Sequence, residues 1–326
     1  MVMGNITRRT RWMIIGCMVL LITTLIGLLP FFYDEDEIVV NDEEVSDYKE
    51  IEYNGKNYRY NSSIVSFLFI GTDKDKYDTA KNGQADTLFL VLLDRENKKT
   101  SCIPISRDTM TDIRVFDLEG NDLGWHIQQL SLAYAYGKTS SNGCMYTLQA
   151  VSKMLHNIPI NYYVSVDVSD LALIQSMIKE IEVEIPDDTL KSMNPTWSKG
   201  NIVTIDEKNV ELFLRSRDSE VAFSNENRME HQIAYLEGFR KKFMGMNADE
   251  QELLLQNLYE HVNSLETNIS LQNLQIYGNM FAKYTYQQNQ IYRLKGEYHS
   301  ELHDEFMLDE QQLNEMLIKL FYKEGY

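Results

Sequence analysis

From Trp12 to Tyr33 the chain carries no charged residue. About 20 such residues fill the hydrocarbon core of a bilayer. Arg8, Arg9 and Arg11 precede the run, and the acidic stretches DEDE (34–37) and DEEVSDYKE (42–50) follow it. Basic before and acidic after predicts a cytoplasmic N-terminus with everything downstream outside. The alternative is a cleaved signal peptide, but the run is long and ends in LLPFFY without a small-x-small cleavage site. The pattern therefore predicts a cytoplasmic arm over residues 1–11 and a single transmembrane helix over 12–33. An acidic extracellular stalk is expected over 34–60, with an NGK turn at 54–56, and one extracellular domain over 61–326.

Beyond the stalk the pattern changes. IVSFLFIG (64–71) and DTLFLVLLD (86–94) are apolar without alternation, as strands covered on both faces are. TSCIPIS (100–106) follows a polar link, Arg95 to Lys99, short enough for a hairpin. Helical patterns around 142–156 and 169–179 interleave with the strands YYVSVDV (162–168) and IEVEIP (181–186). Asp206 is placed to N-cap EKNVELFL, and an amphipathic helix is expected from about Glu226 to Phe243. After 249, helical stretches surround one short strand, IYRLKG (291–296). Strands alternating with helices predict an α/β sandwich.

Composition adds one exclusion. The net charge of −18 argues against a nucleic-acid partner, whose phosphates need a basic surface. It does not exclude a phosphate held in a local pocket of arginines. Of the three cysteines, Cys17 lies in the apolar run, which leaves Cys102 and Cys144 as the one pair whose bridging the sequence leaves open.

Candidate chemistry sits at the strand ends. FLFIGTD ends on Asp73, ADTLFLVLLD begins with Asp86, and ISRDTM sets Arg107 beside Asp108. Taken singly, the acids read as turn caps and Arg107–Asp108 as a solvated ion pair worth about 0 to 1 kcal/mol. If the second strand runs antiparallel to its neighbours, however, Asp73, Asp86 and Arg107 gather at one sheet edge, where open α/β sheets bind ligands. Two carboxylates without a His or Cys set favour a hard cation such as Mg2+, shared with substrate phosphates. Further on, LFLRSRD sets Arg215 and Arg217 two apart, facing one way if the segment is extended. NRMEHQ sets Arg228 and Gln232 four apart, on one helix face near an N-terminus. Each Arg alone reads as a surface charge. Together, near a helix start, they read as a phosphate site.

These pieces make the chain recognisable. In order, the anchor, FLFIGTD, ADTLFLVLLD, ISRDTM, LSLAYAYG (130–137), IPINYYVSVDV (158–168), LFLRSR and NRMEHQ resemble the LytR-CpsA-Psr family of bacterial cell-envelope phosphotransferases. The resemblance implies an αβα sandwich with a mixed central sheet. It also implies a hydrophobic tunnel for a polyprenyl chain and a polar mouth that binds its pyrophosphate with Mg2+. The implied reaction moves a phosphate-linked glycopolymer, of capsule or teichoic-acid type, from that carrier to peptidoglycan. By position, Asp73 and Asp86 match the metal-associated acids. Arg107, Arg215, Arg217, Arg228 and Gln232 match the pyrophosphate-binding residues, and Asp108 matches the acid beside the first Arg. With Arg107, these three acids are the expected catalytic set.

The chain departs from the pattern at four places. Gln84-Ala85-Asp86 stands where the family usually has Arg-Ser-Asp. Gln129 replaces the basic residue before the AYAYG stretch, Ser106 a Pro, and His231 an Arg or Asn. Two cations are thereby lost from the pyrophosphate region. The alternative expectation is a weakly active or non-catalytic relative that binds polyprenyl pyrophosphate.

Overall fold

The computed structural model describes residues 48–73, 83–217, 223–285, 290–300 and 303–325, all within one compact unit that spans 44–326. The apolar run 12–33 and its basic flank lie outside the described residues. Among the described residues no helix is long and apolar enough to cross a membrane.

The chain begins with a hairpin, β1 (Glu50–Tyr53) and β2 (Lys56–Tyr60). The expected NGK turn joins them, with Asn54 and Gly55 at positive φ (51° and 73°), the two-residue geometry that matches strand twist. Next come β3 (Ile64–Asp73), β4 (Gln84–Asp94) and β5 (Lys99–Ile105), then a second hairpin of β6 (Met110–Phe116) and β7 (Asp122–Gln129). Helices α1 (Leu132–Ala135) and α2 (Ser140–Met154) lead to β8 (Tyr162–Asp167), α3 (Leu171–Ile178), and the pair β9 (Ile181–Glu184) and β10 (Ile202–Ile205). Three more helices follow, α4 (Val210–Arg215), α5 (Ser224–Met244) and α6 (Ala248–His261), then β11 (Glu266–Thr267) and α7 (Leu271–Lys283). The chain closes with the hairpin β12 (Gly296–Ser300) and β13 (Asp304–Leu308), α8 (Glu310–Phe321) and β14 (Tyr322–Glu324), which pairs with β2.

The central sheet has the order β11-β8-β3-β4-β5. Only β3 and β8 run parallel, so the sheet is mixed, and β4 is antiparallel to both neighbours as expected. Helices cover both faces. On one, α2 packs Cys144, Leu148 and Val151 with Leu68, Ile70, Leu90 and Ile103 of the sheet. On the other, Ile233 of α5 meets Phe89 and Cys102, while Leu274 and Tyr277 of α7 pack on Val65, Phe67 and Leu93. The αβα layering follows from the unalternating strands, which have two apolar faces to bury. Cys102 and Cys144 sit in these separate clusters and neither forms a disulfide, and burial pushes the Cys102 thiol up to about 12.

Three local expectations are corrected. IYRLKG forms no strand of its own. Ile291 makes a single bridge to Cys102 as the segment crosses the edge of β5, and Gly296 opens β12 instead. LFLRSR is not extended, because α4 continues through Arg215 and only Ser216 turns to β geometry, so Arg215 and Arg217 do not share a strand face. The helix after Asp206 is capped at Asn209. Asp206 closes the preceding turn, accepting from the Lys208 and Val210 amides through its side chain and carbonyl, each at 3.0 Å.

Candidate functional site

Register brings the strand-end residues together. Asp73 faces Gln84 across β3–β4, and Leu88 faces Ile105 across β4–β5. The end of β3, the start of β4 and the end of β5 therefore form one sheet edge carrying Asp73, Gln84, Asp86 and Arg107. The close β3–β4 approach depends on Gly71, where a Cβ would lie 2.9 Å from that of Thr87, next to an irregularity in the register.

Arg107 is the hub. Its guanidinium donates to Asp86 and to Gln84 Oε1, and reaches Ser131 Oγ at 3.3 Å. Asp86 also lies 3.6 Å from Nη1 of Arg228, whose Nη2 donates to the Asp86 carbonyl at 3.4 Å. Arg228 is only 8% exposed. Burial pushes its guanidinium pKa down, nearby Arg107 and Arg217 push the same way, and Asp86 opposes them. A buried cation surrounded by cations is unfavourable without an anion among them. Asp86 is that anion.

Arg215 pairs with Asp73 at 2.5 Å and with Glu211, one helical turn back, at 2.8 Å. Gln232 Nε2 donates to the Leu214 carbonyl at 3.3 Å, which ties α5 to the end of α4. Arg217 is exposed, two residues beyond α4. Asp108 is 3% exposed. It accepts from Asn225 Nδ2 at 2.6 Å and from Gln129 Nε2 at 3.3 Å. Burial pushes its pKa up, against the pull of Asn225 and Arg107. It does not line the pocket that Asp86, Arg107, Asn225, Arg228 and Gln232 enclose. Asp108 thus orients its neighbours from behind the site.

That pocket has a volume of about 10 Å³, room for one water and not for a pyrophosphate. The arginines around it are engaged in ion pairs with Asp86. Phe69 in the central strand is 40% exposed although Val65 and Phe67, on the same face, are buried. α7 covers those two and α5 covers Phe89. Phe69 is left partly uncovered beyond them.

Asp73, Asp86 and the Gln84 amide supply hard oxygen donors at one edge, the donor set Mg2+ takes when phosphates and water complete its shell. Each of the three side chains accepts from an arginine, Asp73 from Arg215 and Asp86 and Gln84 from Arg107. Among the described residues no group of three His, Cys, Asp or Glu side chains could hold a metal by itself.

Sequence reasoning missed three contributors, Asn225, Ser131 and Asp304, and saw Gln129 only as a lost cation. Asn225, Ser131 and Gln129 hold Arg107 and Asp108, while Asp304 of β13 accepts from the Phe223 amide at the start of α5 (2.9 Å) and, through its carbonyl, from Gln129 (2.7 Å). Only NRMEHQ hinted at one of them, since Asn225 lies three residues before Arg228 on the same helix face.

Arginines thus converge on a carboxylate at the edge of a mixed sheet in an αβα fold. The model of the LytR_cpsA_psr family matches residues 34–321, and the chain belongs to that family. It is 27% identical over 201 residues to the polyisoprenyl-teichoic acid–peptidoglycan teichoic acid transferase TagU of Enterococcus faecalis, covering 60% of this chain and 59% of the relative. It is 30% identical over 141 residues to a TagU of Bacillus cereus, covering 43% and 40%. The chain thus spans less than two thirds of the length of these relatives. In fold it is similar to B. subtilis TagV, with a TM-score of 0.62 at 21% identity over 80% of this chain and 96% of that one. It is likewise similar to TagT bound to LIIa-WTA, with a TM-score of 0.59 at 19% identity over 79% and 90%.

Proposed function

We propose that the protein is a membrane-anchored extracellular phosphotransferase. It moves a phosphate-linked glycopolymer of teichoic-acid or capsule type from a polyprenyl-pyrophosphate carrier to peptidoglycan. One observation carries the reading: Arg107 and Arg228 converge on Asp86 at the edge of a sheet whose central strand exposes Phe69. A lipid pyrophosphate needs that combination, with cations for the head and apolar surface for the tail. The names of the curated relatives support the reaction class.

The chemistry follows from what these side chains do. Phosphoryl transfer asks for positioning and charge neutralisation more than covalent help. Arg107 and Arg228, with Arg215 and Arg217 at the rim, hold the pyrophosphate oxygens and offset the charge that develops on them. A hydroxyl oxygen of the acceptor attacks the phosphorus that bears the glycopolymer. The P–O bond to the second phosphate breaks, and the lipid leaves as a monophosphate. The hydroxyl proton passes to Asp86, the carboxylate that lines the pocket. Asp73 and Asp86 would hold Mg2+, which when bound neutralises phosphate charge.

The test is to incubate the full chain with a short prenyl pyrophosphate carrying a glycan on its distal phosphate, peptidoglycan fragments and Mg2+. Glycan-phosphate joined to the fragments and free prenyl monophosphate are expected, and Asp73→Ala should abolish Mg2+-dependent turnover while leaving the fold intact. Absence of transfer with retained lipid binding would favour the second reading, a non-catalytic lipid-binding relative. The neutral Gln84 and the small, self-paired pocket support that reading.

A further inference from the structure

Buried polar atoms without a hydrogen bond are rare in native structures, and each one asks for an explanation. Two belong to side chains lining the Arg107–Arg228 pocket: Nε of Arg107 and Oδ1 of Asn225 make no hydrogen bond among the described residues. Asp108 Oδ1 lies 3.6 Å from the Arg107 Nε, too long for one. The orientation of the Asn225 amide is set by its neighbour. Nδ2 donates to Asp108 Oδ2 at 2.6 Å, and a flipped amide would set two oxygens against each other. Oδ1 is thereby left as an unpaired acceptor in a pocket where the Asp86 carboxylate is already matched by the donors of Arg107 and Arg228.

The two orphans ask for different things. Donors suit the oxygens of a pyrophosphate, which accept. An amide oxygen does not suit them and needs an N–H or O–H. The ligand that satisfies both presents accepting oxygens and a donor side by side, as a sugar attached to a phosphate does. We propose that Asn225 is a specificity-determining residue of this site. Its Oδ1 accepts a hydrogen bond from the sugar joined to the pyrophosphate, so that the site prefers a glycosylated carrier to a bare one. The inference rests on the pyrophosphate reading above and adds to it a discrimination between loaded and spent lipid. A site built to bond a substrate hydroxyl rejects the analogue that lacks it, because the acceptor then stays buried and unpaired.

Calorimetric titration of the full chain in detergent tests this with two probes: a short-chain prenyl pyrophosphate, and the same lipid carrying one hexose on the pyrophosphate. The wild type is expected to bind the sugar-bearing probe about tenfold tighter. Asn225→Ala should bring the two affinities together by weakening only the sugar-bearing probe. Gln129→Ala, which loosens Asp108 without touching the Asn225 oxygen, should keep the preference even if both affinities fall. If Asn225→Ala weakens both probes equally, Asn225 acts only through Asp108 and the proposal fails. A wild type that binds both equally well overturns it whether or not the variant folds, and leaves the pyrophosphate reading standing. A wild type that binds neither removes that reading and this inference together.

Discussion

If Asp86 is the internal counter-ion of the anion site, deleting it should destabilise the fold and sensitise it to added phosphate. In Asp86→Ala the guanidinium of Arg107 loses one of its two closest partners, and Arg228 loses its carboxylate while remaining buried. Breaking a buried pair from one side costs about 3–5 kcal/mol. Asp86 and Arg107 are each about a fifth exposed at the side chain, and Gln84 still accepts from Arg107, so the low end applies. A loss of about 3 kcal/mol lowers Tm by roughly 6–12 °C in a unit of this size. Pyrophosphate should then recover most of the loss, because it supplies the missing anion. In the wild type the same ligand has to displace Asp86 first and should raise Tm less. Thermal unfolding of both proteins against a pyrophosphate series, in EDTA to remove any metal, measures the two shifts. Asp86→Asn, which keeps an accepting oxygen without the charge, should fall between them. Equal pyrophosphate shifts in the wild type and Asp86→Ala would show that Asp86 does not occupy the anion position, and the argument would be refuted.

Other outcomes are expected. Gln84→Arg, beside Arg107, should tighten binding of a prenyl pyrophosphate by about 10- to 100-fold at low salt. That gain should shrink as salt is raised, and a salt-independent change would mean that residue 84 does not meet the phosphate. His231 is buried against Asp187 (3.2 Å) and Thr189 (3.3 Å), and burial holds its pKa below 6.5 despite the pull of Asp187. The unfolded chain therefore takes up the proton first. Stability tied to His231 is complete above about pH 6.5 and is lost as pH falls below it. Denaturant unfolding at pH 7.5 and 5.5 should show a larger loss in the wild type than in His231→Gln, and equal losses would remove His231 as the cause. A reporter fused after Tyr326 should be active only outside the membrane, and cytoplasmic activity would overturn the topology read from the basic flank of the apolar run.

Much of the architecture was legible in the order of residues. The unalternating apolar runs at 64–71 and 86–94 specified strands buried on both faces, and the short link at 95–99 made β4 antiparallel to β5. Those local facts are enough to bring Asp73, Asp86 and Arg107 to one edge. The spacing of Arg228 and Gln232 on a helix was as readable, because helical period depends only on separation along the chain. The roles within the site were not. Whether Arg107 meets Asp86, Gln84 or Asp108 depends on rotamers and on which helix starts opposite the edge. Asp304, from the far end of the chain, is brought to the start of α5 by a hairpin whose short strands carry little apolar signal. Asn225 looks like an ordinary polar residue in sequence. It becomes an orphaned acceptor only because Asp108, 117 residues away, takes its amide nitrogen. Periodicity and charge are properties of neighbours along the chain and survive in the sequence, whereas hydrogen-bond partnership and burial arise between distant segments and exist only once the tertiary fold has closed.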